Sequence, residues 1–163
     1  MIKLFRIDER LVHGQVVIKW SRHTSVDHIV VANDAAAANS IIQKSLMMAA
    51  PIGIKLTIKT IVDSIKTLND PRCANMKLLI LVNSPKDAIE IVKNVPGIPF
   101  INVGNYGRIA PAKLGMPRTC YDQNLYCDLE EVNEFKILLE TGLKCVYQTT
   151  PEEVARNLGD IFK

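Results

Sequence analysis

The 163-residue sequence predicts a single α/β domain, residues 1–163, built on an open, mostly parallel β-sheet with helices on both faces. Three observations predict it. Short β-type runs alternate with helical patterns from one end to the other, the rhythm of strand–helix–strand units. One run, Lys77–Val82 (KLLILV), is apolar almost throughout, as strands become when helices cover both sheet faces. No internal repeat, low-complexity segment or linker divides the chain.

Ile2–Ile7 reads as the first strand, followed by a polar turn at Asp8–Gly14. Gln15–His23 is expected to be a helix with Val16, Trp20 and the stem of Lys19 on its inner face. Asp27–Ala32 is a buried strand, and Asn33 or Asp34 can cap an alanine-rich helix running to about Ala50, where Pro51 ends it. Ile54–Thr60 alternates as a strand, Ile61–Leu68 is helical, and Lys77–Val82 follows. Ser84-Pro85 supplies an N-cap and a first-turn proline for the helix Lys86–Val95. Phe100–Val103 is the next strand, and Gly104–Gly115, punctuated by glycine and proline, is a loop. A short strand is expected near Arg118–Tyr121. Asp128-x-x-Glu131 opens the helix Leu129–Thr141, with Gly142 as its stop. Lys144–Gln148 is a last strand, and Thr150-Pro151-Glu152-Glu153 is expected to start a closing helix reaching Phe162.

Composition excludes several function classes. Hydrophobic residues make up 48% and charged residues 23%, too apolar and too mixed in sign for a disordered chain. No apolar run approaches the ~20 residues of a membrane span, and the N-terminal residues do not read as a signal peptide, so a cytoplasmic protein is expected. The net charge of +3 comes without the basic stripe or interleaved aromatics of a nucleic-acid binder. Neither GxGxxG nor a Walker-type loop occurs, which argues against a nucleotide site. The four cysteines form no CxxC and only three histidines exist, so reduced thiols, no metal and no cofactor are expected.

Ligands of open α/β sheets bind beyond the carboxyl ends of strands, so the turns after the strands are where chemistry belongs. Only the first is dense. Around it the chain reads Arg6-Ile7-Asp8-Glu9-Arg10-Leu11-Val12-His13-Gly14-Gln15-Val16. A neutral imidazole is a nucleophile, and the ring's ordinary titration, at about pH 6.5, leaves it mostly neutral in a cytosol. Placed before a helix, His13 would hold a phosphoryl group against the free first-turn amides of Gly14, Gln15 and Val16. Gly14 lets backbone approach without a Cβ in the way. Arg10 matches phosphate geometry, and Asp8 can orient His13 or Arg10. The same residues also fit an ordinary capping histidine and surface ion pairs, and spacing alone leaves both readings open. His23 and His28 are poorly spaced for a shared metal, Trp20 fits a core position better than a sugar platform, and Arg108 sits where it can face the rim of the same crevice.

The run RIDERLVHGQV resembles the signature of phosphotransferase-system (PTS) IIB subunits of the mannose/fructose/sorbose family, close to RIDDRLIHGQV, with Glu9 for Asp and Val12 for Ile. The similarity continues through Lys19-Trp20, Val31–Asp34, Lys44–Pro51 and Ile101–Gly104, and so spans essentially the whole chain. The resemblance implies that His13 carries phosphate, that Arg10 contacts it, and that a phosphorylated IIA protein is the donor. It implies delivery to a sugar bound by membrane IIC/IID permease subunits, with this chain cytoplasmic and peripheral to them. Basic residues near the turn would steer an acidic donor. The family's Asp-Asp appears as Asn33-Asp34, where an orienting role for Asp34 and simple helix capping explain the residue equally well. Cys120 lacks the arginine pattern of the IIB families that use cysteine. The alternative is a non-enzymatic regulatory module whose His13 state reports sugar flux. The sugar and any homo-oligomer stay open.

Overall fold

The computed structural model describes residues 1–163. Its elements run β1 (Ile2–Ile7), α1 (Gly14–Thr24), β2 (His28–Ala32), α2 (Asp34–Ala37), α3 (Ser40–Ala49), β3 (Lys55–Lys59), α4 (Ile61–Leu68), β4 (Leu78–Val82), α5 (Pro85–Asn94), β5 (Ile101–Val103), β6 (Thr119–Asp122), β7 (Leu125–Cys127), α6 (Leu129–Glu140), β8 (Cys145–Tyr147), β9 (Arg156–Asn157) and α7 (Leu158–Ile161). Seven strands form one sheet in the order β3-β2-β4-β1-β5-β8-β9, parallel except for β9. The expected single α/β domain with a mostly parallel sheet is what the chain folds into.

The sheet separates two apolar clusters of unequal size. On one face 12 buried residues, among them Leu4, Val17, Trp20 and Leu46, pack α1 and α3 against the strands. On the other, 23 buried residues, including Phe5, Ala88, Ile91 and Phe135, bury α4–α7. The chain leaving β1 enters α1 on the first face, whereas the chain leaving the neighbouring β4 enters α5 on the second. Such a switch opens a crevice at the carboxyl end of β1. The dense turn of the sequence occupies it.

Side-chain caps set most helix starts. Asn33 Oδ1 accepts from the Ala36 amide at 2.8 Å, Thr60 caps α4, Ser84 caps α5, and Asp128 with Glu131 completes a reciprocal capping box on α6. Three expectations need correction. The alanine-rich helix is two helices, because Asn39 accepts from the Ile41 and Ile42 amides and restarts the chain as α3. The buried stripe of α1 is Val17, Trp20 and Ser21, with Val16 only at its margin; Lys19 is exposed, and its Nζ reaches Glu152 at 3.5 Å. The closing helix is replaced by a turn, the short antiparallel β9 and a four-residue α7. There Gln148 Nε2 donates to the Pro151 and Glu153 carbonyls, folding the segment back on β8, and Asn157 caps α7 by accepting from the Gly159 amide.

The short strand near Arg118–Tyr121 is present as β6, and sequence reading missed its partner β7. This hairpin is anchored by a buried cluster. Arg118 donates to both Glu131 oxygens, at 3.0 and 2.8 Å, and the Tyr106 hydroxyl donates to Glu131 at 2.9 Å. Burial works against the Glu131 charge, but the bonds from Arg118, the Asp128 amide and Tyr106 hold its pKa below the ordinary 4.5. A carboxylate with a depressed folded pKa stabilises fully above its unfolded pKa and loses that contribution as pH falls through the folded value. Melting temperature should therefore fall on acidification below about pH 4.5. In Glu131→Gln the protein should be less stable at neutral pH, and the acid-linked part of the fall should be smaller; parallel melts across pH decide it.

Candidate functional site

The turn after β1 is shaped by unusual backbone. The Leu11 amide donates to the Asp8 carbonyl at 2.9 Å, closing a tight turn, and Leu11 then adopts φ 57°, in the left-handed region. That conformation costs a non-glycine residue roughly 1–2 kcal/mol. Burial of the Leu11 and Val12 side chains, 6% and 5% exposed, offsets it. With both anchored in the core, the next residue is turned outward. His13 is the N-cap of α1, its side chain is exposed, and it makes no capping hydrogen bond. Gly14 follows at φ 35°, where a side chain would be strained although no atom stands in its way.

Beneath the turn lies a buried ion pair. The Arg6 guanidinium is fully buried, and its Nη2 donates to Asp8 Oδ2 at 2.9 Å and to the Thr149 carbonyl at 3.1 Å. Its Nη1 donates to Asn102 Oδ1 and to the Gln148 carbonyl. Burial lowers the Arg6 pKa, and the charge and hydrogen bond of Asp8 oppose that shift. The guanidinium also sits 5.5 Å from the centre of the Trp20 ring, whose indole N–H donates to the same Thr149 carbonyl at 2.9 Å. Gly104 makes this packing possible, since a Cβ there would fall 1.9 Å from Arg6 Nη2.

The second oxygen of Asp8 faces the turn. Oδ1 accepts from the Arg10 amide at 3.1 Å and from Arg10 Nε at 3.3 Å. One buried carboxylate therefore bridges a buried guanidinium and a partly exposed one. Asp8 orients Arg10 rather than His13. The Gly14 and Gln15 amides, at the first two helical positions, donate to no acceptor in the protein. The Val16 amide, expected to be free, is committed to the His13 carbonyl at 3.2 Å, so two amides rather than three face outward.

Other expected residues are placed elsewhere. Asp34 Oδ1 accepts from the Ile61 amide at 2.8 Å, tying α2 to the start of α4 and not to the histidine turn. Arg108 donates to Asn124 at 2.9 Å and lies over Tyr126, part of the hairpin. Trp20 is core. All four cysteines are free thiols, and burial pushes Cys145 up to about 11. Sequence reading missed Glu9, whose carboxylate accepts from the backbone amides of Arg108 at 2.8 Å and Ile109 at 3.1 Å, clasping the 108–110 loop to the turn. It also missed Arg6, Asn102 and Gly104. The signal available was an arginine inside an otherwise apolar strand, since a charge there needs a buried partner.

The sheet is doubly wound, and at its carboxyl edge a histidine-bearing turn stands over two arginines that share one carboxylate. Residues 2–163 match the family model described as PTS system sorbose subfamily IIB component, and the chain belongs to that family. It is 49% identical over 155 residues, 88% of this chain and 95% of the relative, to a probable phosphotransferase enzyme IIB component of Streptococcus pyogenes. It is 32% identical to the N-acetylgalactosamine-specific phosphotransferase enzyme IIB component 2 of Escherichia coli, covering 99% of this chain and 97% of the relative. The fold matches the crystal structure of the IIBSor domain of the sorbose permease from Klebsiella pneumoniae with a TM-score of 0.90 at 24% identity, over 99% of this chain and 95% of that one. The chain is thus a phosphotransferase component of a sugar PTS, and none of its helices is long and apolar enough to cross a membrane.

Gly104→Ala tests the packing beneath the turn. The guanidinium it would strike is held on four sides, so overpacking should cost at least about 2 kcal/mol. Urea denaturation measures it, and an unchanged midpoint would mean that Arg6 has room to retreat.

Proposed function

We propose that the protein is a phosphohistidine carrier, in which His13 accepts a phosphoryl group from a IIA protein and passes it to a sugar held by IIC/IID permease subunits. The observation that carries this reading is the exposed, unengaged ring of His13 at the mouth of a rigid turn. A ring that must meet first one protein and then another has to stand clear of its own fold. This one does.

In the proposed step the neutral His13 ring attacks phosphorus in line. A P–N bond to His13 forms as the P–N bond to the donor histidine breaks, and the donor imidazole leaves with the electron pair. In the second step a sugar hydroxyl attacks, the His13 P–N bond breaks, and the proton of that hydroxyl is taken up on the acceptor side. Arg10, held at its Nε by Asp8, offers its remaining N–H groups to the equatorial phosphoryl oxygens. The Gly14 and Gln15 amides add the positive end of α1. Positioning and electrostatics carry such a transfer, because phosphoryl chemistry asks little covalent work of the protein. Asp8 is the positioning group. Arg6 holds Asp8 in place, and Asp34 has no part in the step.

Two variants test the assignment. His13→Ala should take up no acid-labile phosphate from a phosphorylated IIA protein, and label retained in this variant would remove His13 from the reaction. Arg10→Ala should remain folded and slow phosphoryl uptake by roughly 10²-fold, the scale on which a single oxyanion donor acts. Rapid-quench transfer assays read this directly, and an unchanged rate would show that Arg10 does not touch the phosphoryl group.

A further inference from the structure

β3 breaks the rule that the strands of a parallel sheet are apolar on both faces. Leu56 and Ile58 point to the face covered by α1 and α3 and pack there. The alternate residues Lys55, Thr57 and Lys59 point to the other face, in register with His28, Val30 and Ala32 of β2. On that face α4 does not close over the edge of the sheet. A trough of about 380 Å³ remains, floored by β2 and β3 and walled by Thr67 and Cys73.

The trough sets cationic side chains beside an apolar lining that includes Val30, Leu68, Met76 and Leu78. Lys55 and Lys59 both line it, and neither amine has a hydrogen bond or ion pair within the protein. The nearest competitor is Asp63, which feels the charge of Lys59 but pairs with Lys66 at 3.4 Å. His28 also lines the trough; its Nδ1 lies 2.6 Å from Asp27 Oδ1, leaving Nε2 as the free ring nitrogen. Asp27 in turn accepts from the Lys77 amide. The hydroxyl of Thr57 has no partner, so two lysines, a hydroxyl and a histidine line one concave space. The volume falls within the ~300–1,000 Å³ of small-molecule sites. The two lysines are four strand residues apart, roughly 13 Å, and their flexible stems can close on one compact anion or span a longer one.

We propose that this trough binds a small organic phosphate of sugar-phosphate size, its phosphoryl group on the lysines and its hydroxylated body over Thr57. The site is separate from the histidine turn. β3 lies three strands from β1, roughly 14 Å at the usual spacing, and the trough opens on the face opposite α1. The inference does not depend on the phosphocarrier reading, because nothing in it uses His13.

The test is a titration of the full chain, followed by amide chemical shifts, with glucose 6-phosphate, inorganic phosphate and glucose as separate probes. Glucose 6-phosphate should shift His28, Thr57 and Lys59 saturably and bind more tightly than inorganic phosphate, and glucose should shift nothing. The double variant Lys55→Ala/Lys59→Ala, at one exposed and one half-buried lysine, should keep the rest of the spectrum and weaken glucose 6-phosphate by roughly tenfold or more, the value of two charged contacts partly offset by solvent. Absence of saturation, an equal response to inorganic phosphate, or an affinity unchanged in the double variant would overturn the proposal and leave the lysines as guards of an open sheet edge.

Discussion

A guanidinium with no solvent exposure, set against a carboxylate 1% exposed, is the constraint around which this protein is arranged. Removing both charges from water costs more than their attraction returns unless every remaining donor and acceptor is matched. Here the two terminal nitrogens are matched by Asp8, by Asn102 on β5 and by the Gln148 and Thr149 carbonyls beyond β8, and the indole of α1 covers the guanidinium, while the buried Nε has no partner. Breaking such a pair by removing one partner typically costs about 3–5 kcal/mol, whereas a well-packed apolar replacement of both can be neutral. Stability is therefore a poor reason for the pair to exist. Position is a better one, because the pair fixes one carboxylate so that its free oxygen holds Arg10 at a single angle.

The turn above it is strained and pinned in equal measure. Leu11 in the left-handed region and Gly14 at φ 35° give a path that a relaxed chain would rarely take. Two buried side chains, the Glu9 clasp on the neighbouring loop, and Asp8 from below leave that path no slack. The result is a rigid frame with one exposed ring. A group held on a fixed frame loses little entropy on being bound.

Much of this was legible in the residues. Strand and helix identities followed from periodicity, because the apolar runs are long and their caps are of ordinary chemistry, as at Ser84, Asp128 and Asn33. The exceptions have physical causes. Asn39 offers a cap in the middle of a run of good helix formers, and a side-chain acceptor outweighs propensity there. The 150–162 segment carries a capping pattern that loses to Gln148, whose side-chain amide bonds the Pro151 and Glu153 carbonyls and draws the chain into a turn. In the site, His13, Gly14 and Arg10 were visible as a local motif. Arg6 was not, although it belongs to the same run, because its partners lie 96, 142 and 143 residues away. Asp34 shows the converse: a residue singled out by its place after a strand turned out to cap another helix.

Those same separations matter during biosynthesis. Arg6 and Trp20 are made before the Thr149 carbonyl they share, which follows the arginine by 143 residues. At ~5–20 residues per second the interval is roughly 7–30 s. Through that time the nascent chain holds an unshielded guanidinium inside its first strand, and the β1 turn cannot set. The frame beneath His13 therefore waits on a segment made well after it.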